Sequence, residues 1–211
     1  MYKRQVLQQS FTAVDTAVVG RYASTQAIAG VGSNGPIISI LVNLFLGIAV
    51  GANAVIANSL GAKDDEAVRK SVSTVSVVTV VSGILLTILG VVLARPILEA
   101  MSAPHDVIDL AETYLRIFFL GMPFMMIYNF GSAIMRSVGD TTLPFVSLLI
   151  ATICNLILDV TFMSVFSSGV EAVAWATVLS NAINAGIIVA FLRRELSLIH
   201  ISEPTRHAQI S

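Results

Sequence analysis

Four polar residues lie within long apolar stretches of this chain: Asp15, Asn155, Asp159 and Thr177. A carboxylate is costly at membrane depth, so it is retained mainly where it lines a cavity, a proton relay or an ion site. Carboxylate, amide and hydroxyl oxygens suit a hard cation such as Na⁺. Two carboxylates that share a medium of low dielectric can instead hold a proton near neutral pH. These residue types therefore indicate reversible binding of a proton or of Na⁺, and a role in transport.

The composition shows that the surroundings of these residues are a lipid bilayer. The chain is 55% hydrophobic and 12% charged, and its mean hydropathy is +0.85, which is too apolar for a soluble domain. The apolar residues form long blocks with little two-residue alternation, which favours helical spans over a barrel of strands. A net charge of −1 gives no indication of a nucleic-acid partner.

Five apolar blocks are long enough to cross a bilayer, for which about 20 residues are needed. They cover 28–60, 72–93, 110–135, 143–166 and 170–192. A sixth block, 6–19, is shorter, and we interpret it as the exit half of a first helix. The sequence therefore predicts an all-α integral membrane protein built as a six-helix transmembrane bundle.

The charges of the connecting loops predict the orientation of this bundle. Basic residues accumulate on the cytoplasmic side of membrane proteins. On one side of the predicted spans lie six of them: Lys63, Arg69, Lys70, Arg136, Arg193 and Arg194. On the other side lie only Arg21 and Arg95. We therefore expect a multi-pass protein of the plasma membrane with its N-terminus in the cytoplasm.

This orientation puts the polar residues in one layer of the outer half of the membrane. A rise of about 1.5 Å per residue places Asp15 about 6 Å, Asp159 about 10 Å and Thr177 about 12 Å below the outer ends of their helices. The same rise places Tyr114 about 10 Å below its own outer end. We therefore add Tyr114 to the predicted proton-binding or cation-binding residues.

Helical spacing groups the polar residues of the last two spans on two faces. Asn155 lies four residues before Asp159, and Thr177 shares a face with Asn181 and Asn184. We predict Asn155 and Thr177 as oxygen ligands of a possible Na⁺ ion, with Asn181 and Asn184 in support. The alternative role for the hydroxyl and amide groups is hydrogen bonding between helices.

Proline is expected to bend two of the spans. Pro36 and Pro123 lie within the blocks 28–60 and 110–135, where each removes a backbone hydrogen bond and can kink a helix. Pro144 lies at a predicted helix start and requires no kink. The bends suit a bundle that changes conformation.

Both ends of the chain carry sequences of a different kind. MYKRQ at 1–5 and LSLIHISEPTR at 196–206 resemble the translation of a sequencing-library adapter read from its two strands. We therefore expect residues 1–5 and 196–211 not to belong to the natural protein. Residues 6–195 are then expected to be a segment of a longer protein that begins within its first helix.

Five stretches resemble the N-terminal six-helix lobe of the multidrug and toxic compound extrusion (MATE) transporters. They are VDTAVVG at 14–20, NLFLGIAVGAN at 43–53, RSVGDT at 136–141, NLILD at 155–159 and GVEAVAWAT at 169–177. The resemblance covers nearly all of 6–195.

The resemblance implies an antiporter that exports organic, often cationic, compounds in exchange for H⁺ or Na⁺. It implies twelve helices in two lobes, of which the C-terminal lobe would be missing here, and neither enzymatic activity nor a cofactor beyond the coupling ion. The expected partners are the lipid bilayer, a small organic substrate and that second lobe. The coupling-ion residues of the family are similar to five residues of this chain: Asp15, Tyr114, Asn155, Asp159 and Thr177.

Three other functions remain open at this point. A lipid-linked saccharide flippase of the same superfamily would require a cationic cavity, whereas the spans carry little positive charge beyond Arg116, which can pair with Glu112. A membrane scaffold would use the polar residues only to join helices. An intramembrane aspartyl protease is disfavoured because the sequence Gly139-Asp140 lies in a loop.

Overall fold

Six helices make up the part of the chain that the structure, a computed structural model, describes: residues 34–101, 104–105, 107–166 and 169–201. They are α1 (Gly35–Gly61), α2 (Asp65–Ala100), α3 (Ile108–Leu120), α4 (Met122–Ser137), α5 (Thr142–Phe166) and α6 (Gly169–Ile201). The predicted block 6–19 and its Asp15 lie outside the described residues. The predicted all-helical fold is confirmed, while the boundaries at 5 and 195 stay predictions.

Three of these helices are long and apolar enough to cross a membrane: Glu66–Ala100, Thr142–Ser164 and Val170–Arg194. Together α3 and α4 form a fourth span that is bent by 48° at its break. The apolar part of α1 is shorter, Gly47–Gly61. Large apolar side chains remain exposed along α2, as expected for contact with lipid: Val77, Val81, Ile84, Ile88 and Val92.

The connections between successive spans are short, so neighbouring spans run antiparallel, with α3 and α4 together counted as one span. At one end of the bundle, α2 and α5 end and α3 and α6 begin. We call this end the hairpin end, because α5 connects to α6 there. The opposite end is formed where α1, α4 and α6 finish. The six basic residues of the orientation prediction lie toward this opposite end, but the orientation itself stays a prediction.

Packing around α4 forms the interior of the bundle. This helix lies against α1, α2 and α6, and large side chains of α3 and α4 are completely shielded: Leu115, Phe119, Met122, Met126 and Phe130. Two close approaches fix the register of α4 against α6. A Cβ atom added to Gly121 would lie 3.0 Å from Cγ2 of Val178, and one added to Gly131 would overlap Ile188.

The bend between α3 and α4 has a chemical cause. Pro123 has no N–H group, so the carbonyl of Phe119 loses its helical hydrogen-bond donor. Thr87 of α2 replaces that donor, because its Oγ1 lies 3.0 Å from the Phe119 carbonyl oxygen. The same hydroxyl lies 2.9 Å from the carbonyl oxygen of Gly83. The predicted bend at Pro123 is therefore present, and a side chain on another helix stabilises it.

Glycine lets α2 approach this bend closely. A Cβ atom added to Gly83 would lie 2.9 Å from Cα of Pro123, and one added to Gly90 would overlap the ring of Phe119. Small residues permit such close contact between membrane helices. The bent span is therefore fitted to α2 over two helical turns.

The kink predicted at Pro36 is not found in the described residues. Pro36 lies in the first turn of α1, where the missing N–H group would have no helical acceptor and requires no bend. Pro96, which the sequence analysis did not consider, lies inside α2 near its C-terminal end.

The RSVGDT stretch forms the turn between α4 and α5. Gly139 has a φ of 92°, a conformation that disfavours side chains. The carboxylate of Asp140 accepts hydrogen bonds from the backbone N–H groups of Thr142 at 2.8 Å and Leu143 at 3.1 Å. Asp140 is therefore a capping residue for the start of α5, which explains this motif without a catalytic role.

Replacing Thr87 tests whether its hydroxyl stabilises the bend. We expect Thr87→Val in the full-length protein to lower the free energy of unfolding by about 1 kcal/mol, because the Phe119 carbonyl loses its donor. Thr79→Val is the control, since Thr79 is a buried threonine of the same helix whose hydroxyl bonds its own helix, at Val75. Thermal unfolding in detergent measures both, and equal losses for Thr87→Val and Thr79→Val would contradict the role of the cross-helix bond.

Candidate functional site

A single buried stripe on α5 carries the predicted acidic residue. The residues of the stripe recur at intervals of four and therefore share one face: Ser147, Ala151, Asn155, Asp159 and Met163. Asp159 is 0% exposed. Acidic side chains are almost never fully buried unless they are paired, and a carboxylate inside a membrane span marks a candidate functional site, so Asp159 is the centre of the candidate site.

The facing helix α6 presents hydroxyl and amide groups at corresponding positions. Thr177 and Asn181 are half-buried, whereas Asn184 is 3% exposed. The hydroxyl of Thr177 donates a hydrogen bond to the carbonyl oxygen of Val173 at 2.9 Å. A hydroxyl has a single proton and two lone pairs, so the oxygen of Thr177 retains its capacity to accept a hydrogen bond or to bind a cation.

The antiparallel pairing of α5 and α6 sets these groups at matching heights. Counted from the hairpin end, Asp159 lies about 10 Å and Thr177 about 12 Å along its helix. Asn155 and Asn181 follow at about 16 Å and 18 Å. Because α5 packs along α6, the carboxylate and the hydroxyl occupy one layer, and the two amides occupy the next.

Tyr114 lies on a third helix of the bundle, α3. It lies about 9 Å from the start of α3, and α3 packs against α6. Tyr114 is 7% exposed, and its ring stacks on Phe118 with centroids 6.2 Å apart and an interplanar angle of 19°. Asp159 and Thr177 therefore lie near one level and Asn155 lies about one turn further along α5, while Asp15 lies outside the described residues. That these residues and Tyr114 bind an ion stays a prediction.

The donor set of this layer is one carboxylate with amide and hydroxyl oxygens. Within the described ranges, no group of three or more His, Cys, Asp or Glu side chains could hold a metal ion.

Arg95 connects the hairpin ends of α2 and α3 through several carboxylates. It contacts Glu99 at 3.1 Å, Asp109 at 3.2 Å and Glu112 at 2.9 Å. The predicted pair of Glu112 and Arg116 is also present, at 2.7 Å. Both guanidinium groups are therefore paired with carboxylates, and Arg116 is not a free cation that could bind a pyrophosphate.

Two buried polar residues of α4 were not among the residues predicted from the sequence. Asn129 is 6% exposed and Ser132 is 1% exposed. Their spacing of three residues within the apolar block 110–135 is the signal that could have identified them, because it places both on one side of the helix.

The described helices and their polar layer define a multi-pass membrane protein with a polar site inside its spans. A family model described as MatE matches residues 3–161. The chain therefore belongs to the MatE family of membrane transporters, and MATE family transporters are not enzymes.

Two curated relatives illustrate this membership. The chain is 30% identical over 205 residues to the probable multidrug resistance protein YoeA of Bacillus subtilis, covering 95% of this chain and 44% of that protein. It is 30% identical over 201 residues to the probable multidrug resistance protein NorM of Thermotoga maritima, covering 92% of this chain and 43% of that protein. The chain thus spans less than half the length of these relatives.

Solved structures show the same fold. A multidrug resistance MATE family transporter of the MOP superfamily, in its outward-facing conformation, matches with a TM-score of 0.83 at 24% identity, over 90% of this chain and 42% of that chain. A MOP superfamily transporter from Pyrococcus furiosus, whose binding pocket of reverse polarity suggests a different function, matches with a TM-score of 0.80 at 24% identity over the same shares. At this identity the fold alone is shown.

Proposed function

We propose that the full-length protein is a secondary active exporter that antiports organic, often cationic, compounds against H⁺ or Na⁺. The observation that carries this proposal is the fully buried carboxylate of Asp159, at the same height as the hydroxyl oxygen of Thr177. A buried carboxylate in apolar surroundings favours neutralisation, either by a proton or by a bound cation. The names of the relatives support multidrug compounds as the substrates.

The coupling step follows from the electrostatics of this layer. Binding of H⁺ or Na⁺ removes the net charge of Asp159, so the free energy of enclosing the layer between helices falls. One charge that crosses a membrane potential of about 100 mV supplies about 2.3 kcal/mol. That free energy can shift the equilibrium between two arrangements of the helices, and Asp15 would share the ion with Asp159.

The bent span formed by α3 and α4 gives such a shift a structural route. Tyr114 belongs to α3, and the break at Gly121 lies about two turns further along the chain. A change in the packing of the layer therefore acts on a helix that already has a break and a proline. The proposed location is the plasma membrane, with the basic end of the bundle in the cytoplasm.

Efflux measurements in vesicles test the exporter directly. With H⁺ and Na⁺ gradients imposed separately, we expect one of them to drive export of a cationic dye by the full-length protein. Export under neither gradient, from a folded protein, would contradict antiport.

Thr177 offers a finer test of the ligand set. We expect Thr177→Val to weaken the apparent affinity for the coupling ion about tenfold, the loss of roughly one hydrogen bond or ligand contact, whereas Thr177→Ser retains the oxygen. Thr152→Val is the control, because Thr152 also donates to its own helix, at Leu148, but lies outside the stripe. Ion dependence of transport measures the affinities, and equal effects of Thr177→Val and Thr152→Val would remove Thr177 from the site.

The flippase of the same superfamily is a weaker candidate. It would need free cations for an anionic headgroup, and in the described part of the chain both Arg95 and Arg116 are paired with carboxylates. The other alternative is a non-transporting scaffold, which would show no export under either gradient; export that Asp159→Asn abolishes without loss of stability would exclude it.

A further inference from the structure

Helix α2 contacts the bent span on both sides of its break. Phe119 precedes the break at Gly121 by two residues, and Pro123 follows it by two. A Cβ atom added to Gly90 would overlap the ring of Phe119, and one added to Gly83 would lie 2.9 Å from Cα of Pro123. The backbone of α2 therefore lies directly against the last turn of α3 and the first turn of α4.

Thr87 lies between these two glycines on the same face of α2 and supports the bent geometry chemically. Its Oγ1 lies 3.0 Å from the carbonyl oxygen of Phe119. Straightening the span would not give this carbonyl a helical donor, because Pro123 has no N–H group. Separation from α2 would remove the donor that Thr87 supplies, which is costly within a membrane span. The bent span is therefore stabilised by staying against α2.

The residue at the break has an ordinary helical conformation. Gly121 has a φ of −80° and a ψ of −10°. Its N–H group donates to the carbonyl oxygen of Phe118 at 3.0 Å, and its own carbonyl oxygen accepts from the N–H group of Met125 at 3.2 Å. A Cβ atom added there would lie 3.0 Å from Cγ2 of Val178. Hinges are positions that absorb large changes of φ and ψ, whereas Gly121 is hydrogen-bonded through both backbone groups and lies against α6.

A further contact joins α2 to the hairpin end of α3. Arg95 binds the carboxylates of Asp109 at 3.2 Å and Glu112 at 2.9 Å. The contacts from Gly83 to Arg95 therefore extend over about 18 Å of α2. Partly exposed ion pairs stabilise less than buried packing, so the contacts at the break provide most of the constraint. The angle of the bend can change only if part of the span moves away from α2.

We propose that α2 is a clasp that keeps the bend between α3 and α4 at a constant angle, so that α2, α3 and α4 move as one body when the transporter changes conformation. The bent span then passes a displacement at the hairpin end to the opposite end as a lever, without flexing at its break. The movement rests on the proposed function, whereas the constant angle rests only on the contacts of α2.

The distance between two spin labels on either side of the bend tests the clasp. In full-length protein freed of native cysteines, including Cys154, the labels are attached at His105→Cys, just before α3, and at Val138→Cys, just after α4. Both positions are exposed. Straightening the span by about 20° would lengthen this distance by about 3 Å, given a rise of about 1.5 Å per residue. Pulsed electron–electron double resonance measures the distance.

We expect the mean distance to be the same with Na⁺, without Na⁺, and in Asp159→Asn, which mimics the neutralised carboxylate. The expected change is less than about 1 Å, a third of the shift that straightening by about 20° would produce. A larger change in any of these conditions would show that the bend flexes, and would overturn the clasp.

Thr87→Val tests whether α2, rather than Pro123 alone, fixes the angle. We expect the loss of the hydroxyl to broaden the distribution of distances about twofold, because a second angle becomes populated. Thr79→Val removes a hydroxyl that is bonded within α2 and should leave the width unchanged. Equal widths in these two variants would assign the bend to the proline alone and remove the clasp. If Thr87→Val fails to fold, Gly90→Ala with Gly186→Ala as its control gives the same comparison.

Export by the unlabelled parent, measured in parallel under each gradient, separates the two proposals. Export together with a changing distance retains the exporter and removes the clasp. A constant distance that Thr87→Val broadens, without export under either gradient, retains the clasp and removes the antiporter.

Discussion

Asp159→Asn is expected to abolish gradient-driven export by the full-length protein while leaving its fold intact. Asparagine has nearly the shape of aspartate but neither binds a proton at neutral pH nor carries charge for Na⁺. Because Asp159 is fully shielded, the neutral amide also lowers the cost of burial. We therefore expect the rate of export to fall by about a hundredfold or more, corresponding to roughly 2.7 kcal/mol of lost coupling, without a loss of thermal stability.

Dye efflux from vesicles under the effective gradient measures this loss, and thermal unfolding in detergent measures the stability. Asp140→Asn is the matched control, because Asp140 is a carboxylate of the α4–α5 turn that caps α5 and asparagine is an equally good cap. Export by Asp159→Asn at the rate of Asp140→Asn would refute coupling through Asp159.

Gly90→Leu is expected to have the largest effect on stability among the substitutions in α2. Even the first carbon of the new side chain would overlap the ring of Phe119. That ring is 1% exposed and belongs to the core, so it cannot move aside without displacing its neighbours. Overpacking of a well-packed interior costs about 1–3 kcal/mol and occasionally more, and we expect Gly90→Leu to exceed this range and prevent accumulation of folded protein.

The smaller substitution Gly90→Ala keeps the prediction measurable, with an expected loss of about 1–3 kcal/mol in thermal unfolding. Gly186→Ala is the control, because nothing lies within 4 Å of the added Cβ atom. A smaller residue at position 119 should relieve the clash. The double variant Gly90→Ala with Phe119→Leu should therefore lose less stability than the two single variants lose in sum. Simple additivity would show that the two residues are not in contact.

The sequence predicted the spans and Asp159 because both depend on local properties. A long apolar block has few structures available in a bilayer, and a carboxylate within it must be shielded. The bend at Pro123 was predicted for the same reason, since the missing N–H group belongs to the residue itself. The kink predicted at Pro36 was wrong because the effect of a proline depends on its distance from the helix start, and composition alone did not locate that start.

The contacts of Thr87 and Gly90, and the burial of Asn129 and Ser132, were not predicted from local properties. Thr87 matters because of a carbonyl 32 residues away in the sequence, and Gly90 because of a ring on α3. The amide of Asn129 and the hydroxyl of Ser132 resemble ordinary polar residues of an apolar helix until their buried side is known. Packing between helices, rather than the residue types, determines their roles.

The ion pairs around Arg95 have a consequence for the rate at which cations arrive. Toward the hairpin end, the described residues include four carboxylates and two guanidinium groups, so two negative charges are in excess. The carboxylates belong to Glu99, Asp109, Glu112 and Glu171, and the guanidinium groups to Arg95 and Arg116. Such a surplus raises the local concentration of cations, and salt weakens this attraction. We therefore expect coupling ions and cationic compounds to associate faster at low ionic strength, on the side of the membrane nearest to Asp159.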